Sequence, residues 1–304
     1  MIDARLLLAL DGDGVELPSE GIIAVFQPPL DADLPGLDKD RVQIIQAFKP
    51  DYDAWAARGY DVVRNVKDRY AACIVCLPRA KNEARALIAD ACEVCDGIVV
   101  IDGQKTDGVD SILREMRTRV TVRGPISKAH GKMFWISEPA AEFFADWKQG
   151  PSLTDGGFWT APGVFSADGV DLASALLVDA LPENLGSEVA DLGAGWGFLS
   201  AHALTRESIK KIYLIEAGHM ALECARRNVT DERAEFIWED ATIGEPPHRM
   251  DTVIMNPPFH IGRAAEPQIG QAFVAAAARI LSPQGKLWMV ANRHLPYEAE
   301  LKTR

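Results

Sequence analysis

A short apolar run, Glu188 to Leu192, breaks into Gly193-Ala-Gly195-Trp-Gly197 and resumes as a helical pattern from Phe198 to Leu204. A strand that enters a helix through three closely spaced glycines strongly restricts the fold. Glycine allows the backbone to turn tightly and lets a ligand approach where a Cβ would clash. The same alternation continues downstream, with strands at Lys211 to Glu216, Ala234 to Trp238, Asp251 to Met255 and Lys286 to Ala291. Helical periodicity covers Val170 to Leu181, Met220 to Asn228 and Gln268 to Leu281. That order predicts a doubly wound α/β sheet, whose ligands bind at the carboxyl ends of its strands.

The first half shows the same texture without the glycine turn. Strands are expected at Gly21 to Phe26, Arg41 to Ile45, Ala72 to Leu77, Gly97 to Ile101, Val120 to Val122 and Met133 to Ile136. Helices are expected at Asp51 to Gly59, Asn82 to Cys92 and Asp107 to Thr118. Strands alternating with helices imply a largely parallel sheet. At the one candidate crossover Leu77-Pro78-Arg79 stands in place of a glycine-rich turn. The Gly/Pro/Thr/Asp-rich stretch from Gly150 to Gly163 reads as a linker. Two α/β domains of mostly parallel sheet follow, residues 1–150 and 151–304.

Composition sets outer limits. With 48% hydrophobic and 25% charged residues the chain is of ordinary globular type. No apolar run approaches the roughly 20 residues that span a bilayer. Leu6 to Leu10 is too short for a secretory segment, so the expectation is a cytoplasmic protein with no membrane partner. A net charge of −12 disfavours nucleic acid mildly. One window opposes it: Ser111 to Lys132 holds Arg114, Arg117, Arg119, Arg123, Lys128 and Lys132 against Glu115 alone. It reads equally as an RNA contact or a solvated face. Cys73-x-x-Cys76 and Cys92-x-x-Cys95 have the spacing of a zinc ribbon. Cys73 and Cys76, however, fall within a strand, where positions i and i+3 face opposite ways. Buried thiols and no metal are expected.

The glycine spacing is G-x-G-x-G, whereas a dinucleotide fingerprint places its third glycine at 198, here Phe198. This points away from NAD and towards S-adenosylmethionine. Gly193, Gly195 and Gly197 would form the turn around it. Asp191 would receive the ammonium directly or through water, and Glu216 would take the ribose hydroxyls. Asp240, with Ala241, would meet the adenine after the third strand. Three acids following three successive strands carry the reading together.

The strand Asp251 to Met255 ends in Asn256-Pro257-Pro258-Phe259. An exocyclic amine on a purine is a poor nucleophile because its lone pair is delocalised. The Asn256 amide oxygen and the Pro257 carbonyl can each accept an amine hydrogen and turn the lone pair outward. Pro257 and Pro258 stiffen the loop, and Phe259 offers a face for stacking a base. His260 would orient the loop or touch RNA, or simply meet solvent.

With Pro162-Gly163-Val164-Phe165-Ser166 and Val290-Ala-Asn-Arg-His-Leu-Pro-Tyr297 added, residues 160 to 297 resemble the methyltransferase small domain of ribosomal RNA guanine-N2 methyltransferases. Among these the resemblance is to those acting on small-subunit (16S) RNA. It implies two tandem Rossmann-like methyltransferase-fold domains, the first without a cofactor motif and serving substrate recognition or stability. It also implies S-adenosylmethionine as donor, and ribosomal RNA or a ribosomal subunit as partner. Ala173, in Asp171-x-x-Ser174, stands where relatives usually carry glycine. The chain stops at Arg304, before the two closing strands usual for this fold, so the fifth strand is expected to be an edge. Adenine-N6, large-subunit RNA or protein-glutamine methylation, a non-catalytic RNA-binding assembly factor, and an NAD-dependent dehydrogenase are the alternatives.

Overall fold

The computed structural model describes residues 2–11, 14–139, 141–258, 260–261, 264–265, 267–291 and 301. The chain divides into two compact units, Met1–Gly150 and Pro151–Arg304.

In the first unit the elements are α1 (Ile2–Leu10), β1 (Ile23–Phe26), β2 (Val42–Ile45), α2 (Lys49–Ala57), β3 (Asp61–Val63) and β4 (Tyr70–Cys76). They continue as α3 (Lys81–Val94), β5 (Cys95–Gln104), α4 (Val109–Arg117), β6 (Arg123–Lys128) and β7 (Gly131–Ile136). The sheet order is β3-β2-β1-β4-β5-β7-β6. The first five strands run parallel, and β7 lies antiparallel between β5 and β6. Strands covered on both faces need apolar side chains on both. In β4, Cys73 and Val75 enter one core while Ile74 and Cys76 enter the other. The four cysteines of the two C-x-x-C pairs are therefore split, with Cys73, Cys92 and Cys95 on one side and Cys76 on the other.

Besides β3, which the sequence pattern does not predict, three features depart from expectation. The leucine-rich start is a helix, α1, whose Arg5 is buried and bonded to both oxygens of Asp102 at 2.5 and 2.8 Å. Val120 and Val122 are not a strand; they pack partly buried against the core, and the strand begins at Arg123. β6 has one edge of the sheet, and its only large apolar residue is Ile126, so it shows no apolar run to read.

The second unit opens with an antiparallel pair, β8 (Ser152–Leu153) and β9 (Trp159–Thr160), followed by α5 (Leu172–Ala180). Then come β10 (Glu188–Leu192), α6 (Phe198–Ala203), β11 (Lys211–Glu216), α7 (His219–Asn228), β12 (Ala234–Trp238) and β13 (Met250–Met255). A two-residue ladder of β14 (His260–Ile261) and β15 (Ala264–Ala265) precedes α8 (Pro267–Ile280) and β16 (Leu281–Met289). The five-stranded sheet, β12-β11-β10-β13-β16, is parallel throughout. β16 starts earlier than the expected Lys286, because Leu281 already pairs with Met250 before an irregular step to Lys286 opposite Thr252. It is the last strand of the order among the described residues. β10 and β13 lie side by side and parallel, which brings the glycine turn and Asn256 to the same carboxyl end of the sheet.

Candidate active site

The three glycines do different work. All have positive φ, at 71°, 55° and 86° for Gly193, Gly195 and Gly197, a region costly for any residue with a Cβ. A Cβ on Gly197 would sit 3.0 Å from Val229 and 3.2 Å from Ala225, so this glycine lets α6 pack on α7. A Cβ on Gly195 would meet nothing within 4 Å. Gly195 is thus the one whose surroundings leave room for a ligand against the backbone.

Of the strand-end acids, Glu216 holds this turn. Glu216 accepts from the Gly195 N–H at 2.8 Å through one oxygen and from the Gly218 N–H at 2.7 Å through the other. Burial raises its pKa above the usual carboxylate range. Asp191 is fully buried. Its Oδ2 accepts from Ser200 Oγ at 2.7 Å, while Oδ1 has no hydrogen-bond partner among the described residues. Burial lifts this carboxyl to about 7, against the Ser200 bond that lowers it, and Glu216 adds to the rise. A buried oxygen without a donor is costly and marks a place where a donor is expected. Asp240 organises the turn after β12, accepting from Thr242 N at 2.8 Å and Thr242 Oγ1 at 2.7 Å through Oδ1, and Ala241 is buried beside it.

Asn256 is fixed from a quarter the sequence does not advertise. Its Nδ2 donates to Asp171 Oδ2 at 3.0 Å and to Ser174 Oγ at 2.8 Å. Asp171 is the N-cap of α5 and also accepts from Ser174 N at 2.8 Å. Both amide hydrogens are committed to α5, so Oδ1 is the acceptor Asn256 has left to offer. The N-cap spacing Asp-x-x-Ser before an apolar run was the available signal for these two residues. Pro257 is buried and Pro258 exposed. Phe259 and the side chain of His260 lie outside the described residues, as do residues 292–297 of the downstream motif.

Gly193, Gly195 and Asn256 line one small cleft together with Phe165, Ser166, Asp171 and Ser174. Asp191, Gly197, Glu216, Asp240, Ala241 and Pro257 are not among its lining residues. One wall is anchored by Trp196, which is buried and packs edge-on or tilted against Phe158 and Phe198. Its Nε1 donates to the Phe165 carbonyl at 3.0 Å, and Asn228 Nδ2 donates to the Trp196 and Trp159 carbonyls, both at 2.8 Å.

The first unit repeats the strand order but not this chemistry. Gln27 N donates to Ile45 O and Gly193 N to Ile215 O, both at 2.9 Å, so the two β1-type turns correspond. Gln46 then stands where the second unit has Glu216, and Pro28-Pro29 where it has Ala194-Gly195. Proline has no N–H to donate. The Pro28 carbonyl is instead capped by Trp55 Nε1 at 3.0 Å and Gln46 Nε2 at 3.2 Å. In the basic window Arg119 forms a forked pair with Asp146 at 2.5 and 2.7 Å and lies over Trp147. Lys132 pairs with Asp110 at 2.6 Å. Arg114 and Arg117 border a hollow on the α4 surface.

Residues 155–304 match the Methyltransferase small domain family. The second unit is a methyltransferase small domain. A ribosomal RNA small subunit methyltransferase C from Hahella chejuensis is 31% identical over 64% of this chain and 60% of its own length. A ribosomal RNA large subunit methyltransferase G from Shewanella amazonensis is 39% identical over 46% of this chain and 38% of its own. The chain thus spans about 60% and 38% of the lengths of these relatives. Among solved structures, a T. thermophilus 16S rRNA N2 methyltransferase (RsmC), in complex with AdoMet and guanosine, superposes with a TM-score of 0.74. It is 21% identical and covers 99% of this chain and 86% of that one, so the shared fold extends beyond the methyltransferase domain to both units.

Proposed function

We propose that the protein methylates an exocyclic amine of RNA, a guanine N2 of small-subunit ribosomal RNA, with S-adenosylmethionine as donor. The observation that carries this reading is Asn256, locked by Asp171 and Ser174 with its amide oxygen left as acceptor, in the same cleft as the open Gly195 backbone. The residues suit the cofactor: Gly195 leaves space in the cleft, and the Asp191 Oδ1 sealed behind the turn, without a donor among the described residues, would meet the ammonium through a bound water. Glu216 would hold the ribose hydroxyls, Asp240 and Ala241 the adenine. When bound, S-adenosylmethionine supplies an electrophilic methyl group.

The chain's own residues then act on the acceptor. Asn256 Oδ1 and the Pro257 carbonyl each accept an amine hydrogen, which localises the nitrogen lone pair and aims it away from the two acceptors. Fixing these acceptors before the base arrives removes their reorganisation from the barrier. The product ammonium is acidic enough to lose its proton to water, so no strong base is needed beside it. The first unit, with Pro28-Pro29 and Gln46 at its turn, serves substrate recognition or stability and holds no cofactor. Large-subunit RNA is the second reading, favoured by the 39% identity to a large-subunit relative. Titration calorimetry separates the cofactor classes. Wild-type protein should bind S-adenosylmethionine and not NAD, and Glu216→Gln should weaken that binding about tenfold or more by removing charge-assisted hydrogen bonds. Unchanged affinity in the variant would remove Glu216 from the site.

A further inference from the structure

We propose that Phe165 is the stacking platform on which the acceptor base rests at the mouth of the cleft, a positioning role that builds on the proposed function of the same site. Phe165 lines the cleft with Asn256, yet the residue is 62% exposed. A single exposed apolar residue is ordinary at a protein surface; what sets Phe165 apart is that it lines the same cleft as Asn256.

The loop gives it little freedom to fold away. The Phe165 carbonyl is held by Trp196 Nε1 at 3.0 Å. Ser166 adopts a left-handed φ of 53° and donates through Oγ to Gly169 O at 2.7 Å. Thr160 Oγ1 donates to Ala167 O at 2.7 Å. Strained, over-determined backbone of this kind is kept where it presents a group for use. Trp196 belongs to the glycine turn, so that turn and the backbone carrying Phe165 are tied by one hydrogen bond. The chemistry that fits an exposed ring beside a fixed amide acceptor is a planar heteroaromatic bearing an amine: the ring takes its face and Asn256 its edge.

The test uses the full chain saturated with S-adenosylhomocysteine and a fluorescein-labelled single-stranded octaribonucleotide with one guanine, beside the same strand with an abasic site there. Wild-type protein should bind the guanine strand about tenfold or more tighter than the abasic one. In Phe165→Ala that preference should collapse, in Phe165→Leu it should collapse equally, and in Phe165→Tyr it should persist, all with unchanged affinity for S-adenosylhomocysteine. Equal preference in Phe165→Ala, or full preference in Phe165→Leu, overturns stacking. No guanine preference in the wild type overturns it as well. Methyl transfer to the guanine strand by the wild type is scored separately. If transfer fails while the Phe165-dependent preference holds, the proposed reaction falls and the platform stands; if transfer occurs with no such preference, the reverse is true.

Discussion

At the scale of single residues, the buried carboxylate at the end of β10 makes the sharpest prediction. Burial holds Asp191 at about 7 in the folded chain, above the ordinary carboxylate range it has when unfolded. A raised acid binds its proton more tightly when folded, so its contribution is fully present below roughly pH 4. It is lost as pH rises through about 7. Asp191→Asn removes that dependence. Urea denaturation should show the variant gaining on the wild type by on the order of 2–4 kcal/mol between pH 4 and pH 8. Asp51 and Glu83, lifted by burial to about 6 and about 7, act alike in both proteins and cancel. A gap independent of pH would mean that Asp191 is ionised throughout. Asp191, Glu216 and Asp240 could be picked out in the sequence because each stands at, or just past, the end of a strand. That Asp191 would be sealed behind the turn with Ser200 could not, since burial depends on how α6 packs.

At the scale of elements, the helix that matters most to Asn256 is α5. The N-cap Asp171 satisfies α5 and orients Asn256 with one oxygen, Oδ2. Asp171→Ala should therefore cost about 0.5–2 kcal/mol of stability, the usual worth of an N-cap, and lower kcat at unchanged cofactor affinity. Asp171→Asn, which keeps an acceptor, should restore most of both. Thermal melts and single-turnover assays on the two variants check this; full turnover in Asp171→Ala would free Asn256 from α5. The sequence marked β10, β11 and β12 at the bounds they have, because each carries a mostly apolar run bounded by turn residues. It failed where pairing alone makes the element. β3 has three residues and begins with the exposed Asp61, and β6 carries a single large apolar side chain. The contact between Asp171 and Asn256 spans 85 positions and leaves no periodicity to find.

At the scale of the whole molecule, the two units share a strand order over five strands, but the glycine turn and the strand-end acids lie in the second alone. A net charge of −12 requires that RNA be met locally, and the basic window of the first unit is where positive charge gathers. Arg119 is committed to Asp146 and Trp147, so the residues to test are Arg114, Arg117 and Arg123. Replacing these three by Glu should weaken RNA binding and flatten its salt dependence, with cofactor affinity unchanged. An unaltered salt slope would make the window a solvated face. The most direct test of amine methylation directed by Asn256 is mass spectrometry of nucleosides from ribosomal RNA incubated with S-adenosylmethionine and either wild-type protein or Asn256→Ala. Wild-type protein should yield N2-methylguanosine and Asn256→Ala none above background, with its cofactor affinity within a few-fold. Methylation of a different atom, or equal product from Asn256→Ala, would contradict that expectation.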